Sequence, residues 1–192
     1  MIRLEIPIPE AKIRELKVGD TVLLSGIVVT ARDAGHKLMV EERPRFLDDL
    51  LREGVIYHCG PVVRRDGERW SFVAAGPTTS AREEPYQAKV IESYGVRGVI
   101  GKGGMGPATL EACRKFGAVY FHAVGGCGTS IAQSVKEVVA VHKLEEFGTP
   151  EAFWVTRVED FPVIVTMDSH GDSVHDTVKA ASKKVYDELM KG

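Results

Sequence analysis

The chain has 192 residues, with 25 Lys and Arg against 27 Asp and Glu, a formal net charge of −2. That near-balance argues against a nucleic-acid binder held by bulk electrostatics and against a polybasic membrane anchor, while leaving room for a local cationic pocket. The three cysteines, Cys59, Cys113 and Cys127, are too few and too odd in number for a disulfide framework.

The opening Met1–Glu5 has no basic-then-apolar leader pattern, and no apolar run approaches the ~20 residues of a membrane span. The expected location is the cytoplasm. With no internal repeat and no Pro/Ser-rich linker, residues 1–192 read as one domain.

In chain order, Ile2, Leu4, Ile6 and Ile8 alternate with polar residues and predict a half-buried strand. A turn at Lys17–Asp20 leads to a β-branched strand over Thr21–Thr30. Asp33 is placed to cap a helix over 34–42, interrupted by Pro44, and a second helical piece runs from Arg45 to Glu53. A short strand covers Val55–His58, and a turn at Arg65–Glu68 feeds a strand over Trp70–Ala75. Gly76 and Pro77 break the chain before Thr78 and Thr79, which read as caps of another helix.

A βαβ rhythm follows. A strand end at Gly98–Ile100 meets a glycine loop at Gly101–Gly106, and a helix runs from Pro107 to Phe116, closed by Gly117. Ala118–Phe121 is a further strand before a second glycine loop at Gly125–Gly128. Val138–His142, Trp154–Val158 and Val163–Met167 predict three strands, with turns at Glu159–Asp160 and Ser169–Asp172. The last segment, Asp176–Met190, predicts an amphipathic helix with Val178, Ala181, Val185 and Leu189 on one face. The class is α/β with mixed parallel and antiparallel strands.

Three motifs carry the chemistry. In Gly76-Pro77-Thr78-Thr79-Ser80-Ala81-Arg82, hydroxyls and free N–H groups at a helix start suit an anion, and Arg82 suits a carboxylate. In Gly101-Lys102-Gly103-Gly104-Met105-Gly106, a lysine sits among glycines between strand and helix, in an order that matches neither a Walker A nor a dinucleotide fingerprint. In Thr30-Ala31-Arg32-Asp33-Ala34-Gly35-His36, a strand ends on an arginine, where sites gather in α/β sheets. Each motif has a plainer reading as a cap, a tight turn or a solvated charge. The cysteines read as inert packing, and His170, His175, Asp168, Asp172 and Asp176 as a polar turn and helix start rather than a metal patch. Together, Arg32, Thr78, Arg82 and Lys102 describe a pocket for a carboxylate-bearing anion, with no complete nucleophile–base pair: half an active site.

Those three motifs, in that order, resemble the β subunit of class I iron–sulfur fumarate hydratase and the closely similar β subunit of L-tartrate dehydratase, over nearly the whole chain. The resemblance implies a swivelling β/β/α three-layer domain. It implies that a separate α subunit holds a 4Fe–4S cluster, this chain alone binding none, and that the two form a hetero-oligomer, with a homodimer as the option for the isolated chain. It implies substrate contacts from Arg32, Thr78, Arg82 and Lys102 to a small dicarboxylate, with Thr78 also at the reacting carbon, activated by a carboxylate from the α subunit.

The reading favoured is therefore a fumarate hydratase β subunit; tartrate dehydration on the same scaffold is its near alternative. A non-catalytic module for small anions, and a phosphate-handling enzyme built on the 101–106 loop, are the competitors from other classes.

Overall fold

The computed structural model describes residues 1–191. The alternating N-terminus forms strand β1 (Ile2–Ile6), followed by helix α1 (Glu10–Glu15), which the hydrophobic pattern did not signal. Strand β2 (Thr21–Thr30) has the predicted bounds. Helix α2 (Asp33–Glu41), a 3₁₀ turn at Arg45–Leu47 and helix α3 (Asp48–Leu51) lead to strand β3 (Val55–Tyr57). Strands β4 (Val62–Asp66) and β5 (Arg69–Ala74) form a hairpin, and helix α4 spans Glu84–Tyr94. Strand β6 (Gly98–Gly101), helix α5 (Pro107–Phe116) and strand β7 (Val119–His122) complete the βαβ rhythm. The chain then forms helix α6 (Gly128–Ala132), strand β8 (Val135–His142), helix α7 (Leu144–Phe147), strand β9 (Phe153–Met167) and helix α8 (Val174–Leu189).

Strands β1, β2, β3, β6 and β7 lie side by side in parallel. β3 and β6 are buried along their whole length, which is why they read as unbroken apolar runs. On one face, α2, α4 and α5 cover Val29, Ile56, Val99 and Tyr120. On the other, β9 brings Phe161, Val163 and Val165 against Leu24, Tyr57 and Phe121. Two apolar interfaces share one parallel sheet, giving the expected three layers of β, β and α.

β9 departs from the sequence expectation. Two strands with a turn at Glu159–Asp160 were expected; one strand of 15 residues is found. It pairs antiparallel with β8, with β2 and with β7, so it joins both sides of the parallel set. The supposed turn is a bulge: Asp160 has φ 49°, its N–H donates to Ser25 Oγ at 3.1 Å, and the register slips between Leu24 and Gly26. Gly26 has φ 119°, and a Cβ there would lie 2.6 Å from the Ile6 carbonyl oxygen, so no other residue fits.

α8 is the second departure. The helix forms, started by Ser173, whose hydroxyl accepts from Asp176 N–H. Its apolar face is largely uncovered by the described residues: Val178 is 57% exposed and Leu189 76%. The Ser169–Asp172 segment is a polar turn, as the plainer reading had it. The Asp168 carboxylate accepts from the N–H groups of Val18, His170 and Asp172.

Candidate active site

The parallel strands end on one edge at Thr30, Tyr57, Gly101 and His122. The sequence-predicted residues lie just beyond those ends. Arg32 follows β2 in extended backbone and precedes α2. Its Nε lies 3.3 Å from Glu151 Oε1 and its Nη2 lies 4.0 Å from Asp33 Oδ2. The guanidinium lies close over Gly60, where a Cβ would come 2.6 Å from Nη1. Asp33 does not cap α2 as expected. Its carboxylate pairs with Arg82, and Glu151 takes the capping role, accepting from Ala34 N–H at 3.0 Å.

Thr78 and Lys102 meet through backbone. Thr78 N–H donates to the His58 carbonyl at 2.7 Å, Lys102 N–H to the Thr78 carbonyl at 3.3 Å, and Ser80 N–H to the Lys102 carbonyl at 3.0 Å. The threonines therefore do not cap a helix. They run alongside the extension of β6, and the chain then turns through a 3₁₀ segment, Ser80–Arg82, before α4. The expected cradle of free N–H groups is corrected here: those of Thr78 and Ser80 are already spent. Thr78 and Lys102 are half-buried and Arg82 is exposed. Lys102 has no ion-pair partner among the described residues.

The helix start behind the 101–106 loop is likewise occupied. The Glu84 carboxylate accepts from the N–H groups of Gly106, Ala108 and Thr109 and from the Thr109 hydroxyl, at 2.7, 3.1, 3.3 and 2.7 Å. An internal carboxylate holds the place that a phosphate would take, which argues against the phosphate-handling reading.

Beneath this edge lies a polar network that sequence reasoning did not assemble, although His36 and Ser80 stand in its motifs. His36, His58, Ser80, Gln87 and Tyr120 are wholly buried and bonded to one another. Glu83 is buried with neither carboxylate oxygen bonded. Burial, and then the charge of Asp33, push its carboxyl up to about 7 against the opposing pull of Arg82 and Arg32. His122 and His175 sit at 6.2 Å between ring centres beside the glycine loop, and burial lowers both.

Residues 1–178 match the family described as fumarase C-terminus. The chain belongs to the fumarase C-terminus family. It is similar to the "Putative fumarate hydratase class I" of Geobacillus stearothermophilus, with 50% identity over 184 residues, 95% of this chain and 35% of that protein. It is similar also to the L(+)-tartrate dehydratase subunit beta of Escherichia coli (strain K12), with 42% identity over 187 residues, 96% of this chain and 90% of that protein. The chain thus spans about a third of the length of the first relative and nearly all of the second.

This fumarase C-terminus domain has no ligand set for an iron–sulfur cluster among its described residues. Cys59 and Cys113 are buried, and burial pushes both thiols up to about 12. Cys127 is exposed, and among the described residues no three Cys, His, Asp or Glu side chains gather. The four basic and hydroxyl residues of the three motifs reach one edge, while their counter-ions Asp33 and Glu151 come from different parts of the chain. The buried network had one visible signal, two histidines that follow strands, His58 directly after β3 and His36 in the first turn of the helix after β2. Gln87 and Glu83 had none.

Proposed function

We propose that this chain is the β subunit of a class I iron–sulfur hydro-lyase, converting fumarate and water reversibly to (S)-malate in a site shared with an α subunit. The observation that carries the reading is the placement of Arg32, Thr78, Arg82 and Lys102 together beyond the carboxyl ends of β2, β3 and β6, in a member of the fumarase C-terminus family. Three cations against Asp33 and Glu151 leave a net positive edge, suited to the two carboxylates of a diacid. Arg82 is released to substrate when a carboxylate displaces Asp33. Lys102 supplies a point charge from a loop whose backbone a ligand can approach closely.

In this reading the charge that grows on a substrate carboxylate as a neighbouring C–H proton leaves is stabilised by the same cations. Thr78 holds its hydroxyl at the reacting carbon and passes that proton on. A threonine hydroxyl is a weak base, so the acceptor beyond it is a carboxylate of the α subunit. The cluster belongs to that subunit, in keeping with the absence of a thiolate set here.

Tartrate dehydration is the second reading, favoured by the coverage of 90% of a tartrate dehydratase β subunit; the higher identity, 50%, favours fumarate. An anaerobic assay of this chain, alone and mixed with the α subunit, decides among these. Turnover only in the mixture, greater with fumarate than with L-tartrate, is the expected result. Preference for L-tartrate selects the second reading. No turnover with a spectroscopically intact cluster leaves a non-catalytic anion-binding module.

A further inference from the structure

The polar groups buried under the site form a single chain whose protons can be assigned. His36 Nδ1 lies 2.9 Å from the Arg32 carbonyl oxygen. A carbonyl only accepts, so this nitrogen carries a hydrogen. Burial holds His36 below the ordinary imidazole range, and burial together with His36 holds His58 lower still, so each ring keeps one hydrogen. His36 Nε2 is then bare, and the group 2.9 Å away must donate to it.

That group is the side-chain amide of Gln87, which lies 2.8 Å from His58 Nε2 as well. With the amide oxygen turned to the two rings, the Gln87 nitrogen is buried without a partner. Turned the other way, the oxygen takes that unpartnered place, and the two hydrogens go one to each histidine, so the choice rests on His36. His58 then keeps its hydrogen on Nδ1 and donates to Ser80 Oγ at 2.8 Å, which also accepts from the Tyr120 hydroxyl at 2.8 Å. The first orientation requires a doubly protonated His36, a wholly buried cation with no carboxylate bonded to it.

We propose that Gln87 is a positioning residue of the site: its amide nitrogen donates to both buried histidines and through them holds the segments carrying Arg32 and Thr78–Arg82 in register. One arm ends on the carbonyl of Arg32 itself. The other ends on Ser80, between Thr78 and Arg82, whose N–H also holds the Lys102 carbonyl. His58 adds its own carbonyl to Thr78 N–H. The groups facing the two rings are Gln87 from α4, Arg32 and Asp33 at the start of α2, Ser80, and Tyr120 from β7. What is positioned is a substrate site only on the function proposed above.

The test is long-range ¹⁵N–¹H NMR of the histidine-labelled chain. Both buried rings are expected neutral, with the hydrogen on Nδ1, unchanged over about pH 6–8. A doubly protonated His36, or a hydrogen on Nε2 of His58, overturns the proposal. Gln87→Glu replaces the donor by an acceptor of the same shape, and is expected to bring a second proton to His36; unmoved ring signals overturn the proposal. Gln87→Leu is expected to weaken succinate binding by about tenfold, as misplaced contacts do, and an unaltered affinity overturns the positioning role. If the wild-type chain binds no succinate, alone or with the α subunit, the dicarboxylate reading fails instead, and the ring signals still decide the assignment.

Discussion

The strand-end edge and the C-terminal helix invert the usual distribution of side chains in opposite ways. Under the edge, His36, His58, Ser80, Glu83 and Gln87 are polar and wholly buried; along α8, Val178, Val185 and Leu189 are apolar and exposed. Buried polar groups and exposed apolar faces are the informative exceptions in a folded chain, whereas a lone surface leucine is not. The buried groups are mostly satisfied by one another, so their cost is met inside this chain. The α8 stripe is left largely uncovered by the described residues. The difference teaches that the first region is closed within this chain, Glu83 excepted, and sensitive to any added atom, while the second is indifferent to change within the chain.

The comparison is broken most directly by crowding the polar centre. A Cβ on Gly101 would lie 1.8 Å from Ser80 Oγ and 2.9 Å from the Tyr120 hydroxyl. Gly101→Ala is expected to cost about 3 kcal/mol or more, as overpacking does. Urea unfolding measures it, and a cost below about 1 kcal/mol shows that the centre is softer than its hydrogen bonds imply. Tyr120→Phe removes one donor to Ser80 without changing shape. The expected loss is about 1–2 kcal/mol by the same measurement.

The third prediction uses pH. The folded chain holds the Glu83 proton up to about 7, while an unfolded chain releases it near 4.5. Between those values the folded state binds more protons, so this group's contribution to stability falls as pH rises and is lowest above 7. Glu83→Gln removes that dependence. Its melting temperature is expected to exceed wild type by a few degrees at about pH 8 and to match it near pH 4.5. An offset independent of pH refutes the assignment.

The smallest effect belongs to α8. Val178→Lys combined with Leu189→Lys is expected to change stability by no more than about 0.5 kcal/mol, since both side chains are more than half exposed. The same pair lowers binding of an apolar dye. A large loss of stability would show that α8 is held by contacts within the chain.

Much of the fold was legible because short-range rules decided it. Pro107 and Gly117 bracket α5, and the β-branched run fixes β2. β9 was misread because Glu159-Asp160 has turn composition, and only pairing with β2 converts that pair into a bulge. The site was legible as cations and hydroxyls at strand ends. Its counter-ions were not: Glu151 lies more than a hundred residues from the Arg32 it faces, and nothing local marks it. Glu84 lies in the first turn of α4, yet its carboxylate caps α5.

By itself the sequence determined the class, the βαβ rhythm and the bounds of β2 and α5, because periodicity, caps and glycines act over a few residues. Tertiary structure alone decided which strand ends converge, which N–H groups remain free to meet an anion, and where the buried protons reside. Those depend on hydrogen-bond partners distant in sequence, and a donor is free or spent only once the chain beside it is in place.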